Sequence, residues 1–187
     1  MSGRISVSGN AGKALDEREL ARLDRLIEEA LDDGAAGVSL GLMYEPDRYA
    51  PYAELKRAAQ IAARRGKVLT VHGRALSAVS TSYQPPVGGR AHNLRALDEM
   101  IRLARETGVK LQYSHLIFVG SRTWRTADQA LEMIHNARAE GVDIMYDSYA
   151  MTYGASIITV VLPPLYLALS REKRSSSAAR ARVAIEV

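Results

Sequence analysis

The sequence predicts an α/β protein of four consecutive βα units. Three observations carry this. An amphipathic helical segment, a glycine and a short β-rich run follow one another in that order four times. Each β run starts at the same distance from its glycine. The unusual polar residues gather near the ends of those runs, with Ser39 inside the first and His72, His115 and Asp147 near the carboxyl ends of the other three.

In the first unit Leu23, Ile27 and Leu31 recur at helical spacing, Gly34 stops the helix, and Val38 to Leu42 reads as a strand. The second unit, "AAQIAARRGKVLTVHGR", stops at Gly66. The third puts Leu97, Ile101 and Ala104 on one face and stops at Gly108, and the fourth stops at Gly141. Helices alternating with strands at this spacing form right-handed parallel βαβ units, as in a (β/α)8 barrel or a doubly wound sheet. Both bind ligands at the carboxyl ends of their strands.

Composition narrows the function. With 187 residues, 47% of them hydrophobic, the chain can bury a substantial core. No apolar run approaches the roughly 20 residues of a membrane-spanning helix, and the first residues lack the apolar centre of a secretory signal, so the expectation is a cytoplasmic protein without membrane contact. Twenty-five basic residues against 21 acidic ones give a net charge of +4, but the two signs interleave along the helices, so no nucleic-acid partner is expected. The absence of cysteine leaves His, Asp and Glu as the strong metal ligands.

His72 lies six residues after Gly66, His115 seven after Gly108 and Asp147 six after Gly141, which would bring two imidazoles and a carboxylate to one rim. That set suits a Zn²⁺ or similar divalent site or an acid–base pair, and it also suits three polar strand ends that merely meet solvent. Arg74, two residues past His72, reads as a bidentate fork for a substrate carboxylate or as a surface ion pair. Tyr149, two past Asp147, reads as a hydrogen-bond partner for the same carboxylate or as rim packing. Lys67 and Lys110 open their strands, which argues against a Schiff-base lysine. His92 reads as a turn residue with Asn93 as an N-cap, His135 as solvent-facing, and Trp124 as an anchor packing its loop.

Five pieces also follow one another in an order that resembles the D-aminoacylases, the N-acyl-D-amino-acid deacylases of the amidohydrolase superfamily: "GAAGVSLGLMYEPDRYAPYAEL", "VHGR", "ALDEMIRLARETGVKLQYSHL", "DSYAMTYG" and "LPP". The resemblance implies barrel strands four to seven of a metal-dependent hydrolase that cleaves a non-peptide C–N bond with metal-activated water. It also implies that His72 and His115 bind metal, that Asp147 is not a principal ligand, and that the substrate is a small N-acyl amino acid. The chain departs from that pattern in lacking the family's His-x-His pair, its metal-binding cysteine and its final aspartate, and in having Ile117 and Leu76 where the family has lysine and glutamate.

The expected organisation is a flexible leader over 1–14, a partial barrel over 15–165 and a helical or flexible basic tail over 166–187. Four strands of a barrel leave two open edges, around Val38 and Ile144, and an apolar alternation over Val38, Leu40, Leu69, Val71, Leu111, Tyr113, Ile144 and Tyr146 whose phase the sequence leaves open. A non-catalytic half-barrel that self-associates, most simply as a dimer, is therefore the alternative reading.

Overall fold

A computed structural model describes residues 2–9, 12, 14–83, 89–167 and 169–186. Its centre is a four-stranded parallel sheet in the order β1 (Gly37–Gly41), β2 (Val68–His72), β3 (Lys110–Ser114) and β4 (Ile144–Tyr146). Each strand follows a helix: α2 (Glu17–Asp32), α3 (Tyr52–Arg64), α4 (His92–Thr107) and, after the one-turn α5 (Ser121–Trp124), α6 (Ala127–Ala139). The four expected units are all present.

Local chemistry sets the helix ends. Asp16 and Glu19 form a reciprocal capping box at the start of α2, each side chain accepting the other's backbone N–H at 2.9 Å. All four stopping glycines have positive φ, and Gly108, at 68°, donates to the carbonyl of Ala104 as it closes α4.

Register decides which face each strand residue occupies. Val38 pairs with Leu69, Leu69 with Leu111 and Leu111 with Ile144, while Leu40, Val71, Tyr113 and Tyr146 form the next row on the same face. This is the face covered by helices. Leu69 and Val71 are wholly buried against residues that include Leu55, Leu97, Met100 and Ile134. The phase left open in the sequence therefore resolves toward the helix layer, and the opposite face carries Ser39, Thr70, Gln112 and Met145. The apolar alternation is spent on helix packing, so the open face is mainly polar.

Helix α1 (Ser2–Ser8) occupies part of the segment expected as a flexible leader and packs on α2, with the Arg4 guanidinium 2.8 Å from the Glu54 carboxylate in a buried ion pair. The tail contains the short helices α7 (Pro164–Leu167) and α8 (Arg171–Arg174) and then α9 (Ser177–Glu186). Among the described residues, no helix is long and apolar enough to cross a membrane.

Asn93 lies within the first turn of α4 and caps nothing. The carbonyls of Ser77 and Ala78 receive the first N–H groups of that helix instead, and the Asn93 amide donates to Thr126 at 2.7 Å, joining α4 to the start of α6. His92 is the buried first residue of the helix, and the amide of Ser80 donates to its Nδ1 at 2.9 Å. Trp124 is 67% exposed, so it does not anchor its loop.

Because Leu69 lies on a central strand with no exposure, Leu69→Ala is expected to lower unfolding stability by about 3 kcal/mol, measured by urea denaturation.

Candidate metal-binding site

The carboxyl ends of β2 and β3 bring His72 and His115 together. His72 is the last residue of β2 and pairs with Ser114, and His115 follows one residue later. Their ring centroids are 5.5 Å apart in an edge-to-face arrangement. His115 reaches this position through a left-handed backbone, φ 61°, a region in which histidine is enriched among non-glycine residues.

Asp147, just past β4, holds that turn. One carboxylate oxygen accepts the His115 backbone N–H at 3.0 Å and the other accepts the Gln112 amide at 2.7 Å. These bonds, led by the one from His115, keep the carboxyl below its ordinary pKa. The Nδ1 of His115 lies 3.4 Å from the same Asp147 oxygen, the arrangement by which a carboxylate behind a ligating histidine orients the ring.

On the other ring, the Nδ1 of His72 lies 3.2 Å from the Gly73 carbonyl. A carbonyl can only accept, so this nitrogen carries the proton and Nε2 keeps the lone pair. Burial is the main cause that lowers the His72 pKa, opposed by the bond to Gly73 and helped by the neighbouring His115. Gly73 fits because a Cβ there would overlap the Tyr113 hydroxyl.

A cavity of about 540 Å³ opens beside the two rings. The ring of Tyr149 stands 5.8 Å from that of His115, and Tyr44 stands 5.0 Å from His72. Tyr149 thus lies beside His115 on the cavity lining. Tyr44, on the turn after β1, escaped the sequence reading because it belongs to no periodic pattern.

Arg74 does not join this site. It is 8% exposed, and its guanidinium donates to Glu99 at 3.0 and 3.1 Å, to the Arg48 carbonyl at 3.0 Å and to the Ala50 carbonyl at 2.6 Å. The ion pair is buried rather than at the surface as the alternative expected, and the expected fork for a substrate carboxylate is replaced by a clamp on the protein's own backbone.

The donor chemistry suits a divalent ion: two imidazoles in contact, each with Nδ1 directed to an acceptor. The donor number does not complete a site, since no group of three or more His, Cys, Asp or Glu residues able to hold a metal occurs among the described residues.

No family model matches the chain. It is 32% identical over 145 residues to the N-acyl-D-glutamate deacylase of Alcaligenes xylosoxydans xylosoxydans, which covers 75% of this chain and 26% of that protein. The chain is a homologue of the N-acyl-D-amino-acid deacylases. The N-acyl-D-aspartate deacylase of the same organism is 29% identical over 73% of this chain and 25% of its own length. Among solved structures, a D-aminoacylase superposes with a TM-score of 0.71 at 25% identity, covering 81% of this chain and 29% of its own. The N-acyl-D-glutamate deacylase of Bordetella bronchiseptica, solved with zinc and a phosphonate mimic of the tetrahedral intermediate, gives 0.70 at 27% identity, with 80% and 29% covered. A D-hydantoinase at 15% identity and a TM-score of 0.52 shares the fold. The four-stranded sheet is thus a partial amidohydrolase barrel, and the chain spans about a quarter of the length of the curated relatives it matches.

Two outcomes follow from the site. Arg74→Met removes one partner of a buried ion pair and orphans two carbonyls, and is expected to cost about 3 kcal/mol in urea denaturation. The depressed pKa of His72 means that the unfolded chain binds more protons than the folded one once the pH drops toward the ordinary histidine value. Stability is therefore expected to fall as the pH is lowered from about 7.5 through about 6.5 toward the folded pKa. His72→Gln should flatten that part of the stability–pH curve measured by denaturant titration.

Proposed function

We propose that this chain is the central portion of a metal-dependent amidohydrolase that cleaves the amide bond of N-acyl-D-amino acids or related compounds, and that it holds only part of the site. The observation that carries this reading is the convergence of two imidazoles, His72 and His115, beside a cavity at the carboxyl end of a parallel sheet. The homologues supply the reaction class and the divalent metal, zinc in the phosphonate complex.

His72 and His115 are the residues that would hold the ion, each through Nε2. What the ion supplies when bound is polarisation of the amide carbonyl and a water of lowered pKa. Gly73 keeps the proton of His72 on Nδ1, Asp147 orients His115, and Tyr149 is placed to donate a hydrogen bond to the substrate. The remaining ligands and the general base lie outside this set of residues.

Two imidazoles hold a first-row ion weakly, since structural and catalytic zinc sites use three or four protein ligands. Calorimetric titration with Zn²⁺ or Co²⁺ is expected to show weak binding that dialysis against a chelator removes, and His72→Ala or His115→Ala should abolish it. Tight stoichiometric binding, or binding that survives both substitutions, would contradict the assignment.

The second reading, a self-associating half-barrel, is favoured by the two strand edges. Among the described residues β1 and β4 each have one sheet neighbour, and Met145 and Tyr146 of β4 are 56% and 38% exposed. A dimer would pair those edges. Light scattering at micromolar concentration is expected to give a mass above that of one chain, and a well-behaved monomer would refute it.

A further inference from the structure

Tyr149 stands beside His115, but the stretch of chain that follows it is held by few buried groups. Residues 151–158 are all exposed, so burial does not set their path. The stretch is tied at its two ends. Asp147 anchors the near end by accepting the His115 N–H and the Gln112 amide.

The far end is the 3₁₀ turn Ile158–Val161, and Arg48 grips it. Arg48 is 9% exposed; its guanidinium donates to the Thr159 carbonyl at 2.9 Å and reaches the Leu162 carbonyl at 3.5 Å, to which Thr81 also donates at 3.4 Å. A planar fork can meet two carbonyls in this way, where a single ammonium is a point charge on a flexible stem. Arg48 is itself fixed. Its own carbonyl accepts from Arg74 at 3.0 Å, and the neighbouring Asp47 carboxylate accepts the Gly41 N–H at 2.9 Å, which ties the Arg48 turn to the end of β1.

Between its anchors the stretch returns to the site. A Cβ placed on Gly154 would lie 2.9 Å from the Tyr149 hydroxyl oxygen, so the backbone there rests against the phenol. Gly154 and Tyr149 both line the cavity, and the same tyrosine ring stands 5.8 Å from that of His115. We infer that Arg48 is a positioning residue for this site: its grip on Thr159 and Leu162 sets the path of the exposed stretch, which places Gly154 against the Tyr149 phenol and keeps that ring beside His115. What Tyr149 does for a substrate rests on the hydrolase reading, whereas the brace rests on bonds within this chain.

The test is the ring-proton NMR signal of His115 in the full chain at about pH 8, where imidazoles are neutral and a neighbouring aromatic ring displaces that signal. Tyr149→Ala gives the value with the ring absent. Arg48→Met should move the His115 signal most of the way to that value, and Arg48→Lys, which keeps one donor group, should move it less. Gly154→Ala should also move it, because the added methyl has to displace the phenol. The His72 signal should stay in place throughout, since its ring neighbours are Tyr44 and His115. A purely structural role for Arg48 would lower the urea midpoint without moving His115 apart from His72. If Arg48→Met does not fold, Arg48→Gln carries the same expectation with a smaller change of shape and polarity. An unmoved His115 signal in the folded Arg48 variant or in Gly154→Ala, or equal displacement of the His115 and His72 signals, overturns the brace and leaves the hydrolase reading standing. Failure of the unaltered chain to bind zinc, with the His115 signal moving as described, does the reverse.

Discussion

The guanidinium of Arg74 joins three stretches of chain that are far apart in sequence: the turn after β1, the end of β2 and the middle of α4. Its planar fork suits this task because it offers donors in several fixed directions, one set to a carboxylate and the others to two carbonyls. Burial makes the arrangement exacting. Glu99 without Arg74 would be a half-sequestered charge, and the carbonyls of Arg48 and Ala50 would lose their donor. Tyr83 adds a bond to Glu99 at 3.3 Å, and burial, with the charge of Glu99 adding to it, pushes that phenol's pKa up. The path of the chain immediately after His72 is thereby set, and with it the Gly73 carbonyl that selects the His72 tautomer.

The site follows from that constraint and from the geometry of a parallel sheet. Adjacent strands in register deliver their terminal residues to one rim, so two histidines one step apart in height meet edge to face. Closing the last step requires His115 to adopt a left-handed backbone, which Asp147 stabilises by accepting its N–H. Asp147 acts here through His115. With one oxygen on that N–H and the other on Gln112, the carboxylate serves the turn.

Much of the fold was legible because periodicity and helix-stopping glycines are local signals. Gly34, Gly66, Gly108 and Gly141 each adopt the positive φ that their position implied, and the strands begin two or three residues after them rather than at one common offset. The meeting of His72 and His115 was legible for the same reason, since offsets of six and seven residues on neighbouring strands leave the two histidines one step apart at the same rim. The role of Arg74 was not. Its partners are backbone carbonyls 26 and 24 residues away and a carboxylate on a later helix, and no sequence pattern encodes which way a long side chain turns at a strand end. Trp124 and Asn93 were misjudged on residue type. A tryptophan usually buries its ring and an asparagine often caps, but here carbonyls from the loop after β2 receive the α4 amides, which frees Asn93 to bridge two helices.

The phase of the strands bears most directly on what the sheet does with its uncovered side. Had Val38, Leu69, Leu111 and Ile144 faced away from the helices, the sheet would have exposed a continuous apolar surface and burial alone would have driven association. Register instead gives those residues to the helix core and leaves Ser39, Thr70 and Gln112 on the other face, with Met145 at its margin. A hydroxyl or amide row meets water at little cost, so that face exerts only a weak pull toward a partner. The edges are different. Part of their outward backbone is already engaged, the Gly41 N–H donating to Asp47 at 2.9 Å and the Ile144 carbonyl accepting from Arg138 at 2.8 Å, and the groups that remain can pair a further strand without apolar surface. Pairing of a further strand would therefore draw on the remaining edge backbone more than on burial of the uncovered face.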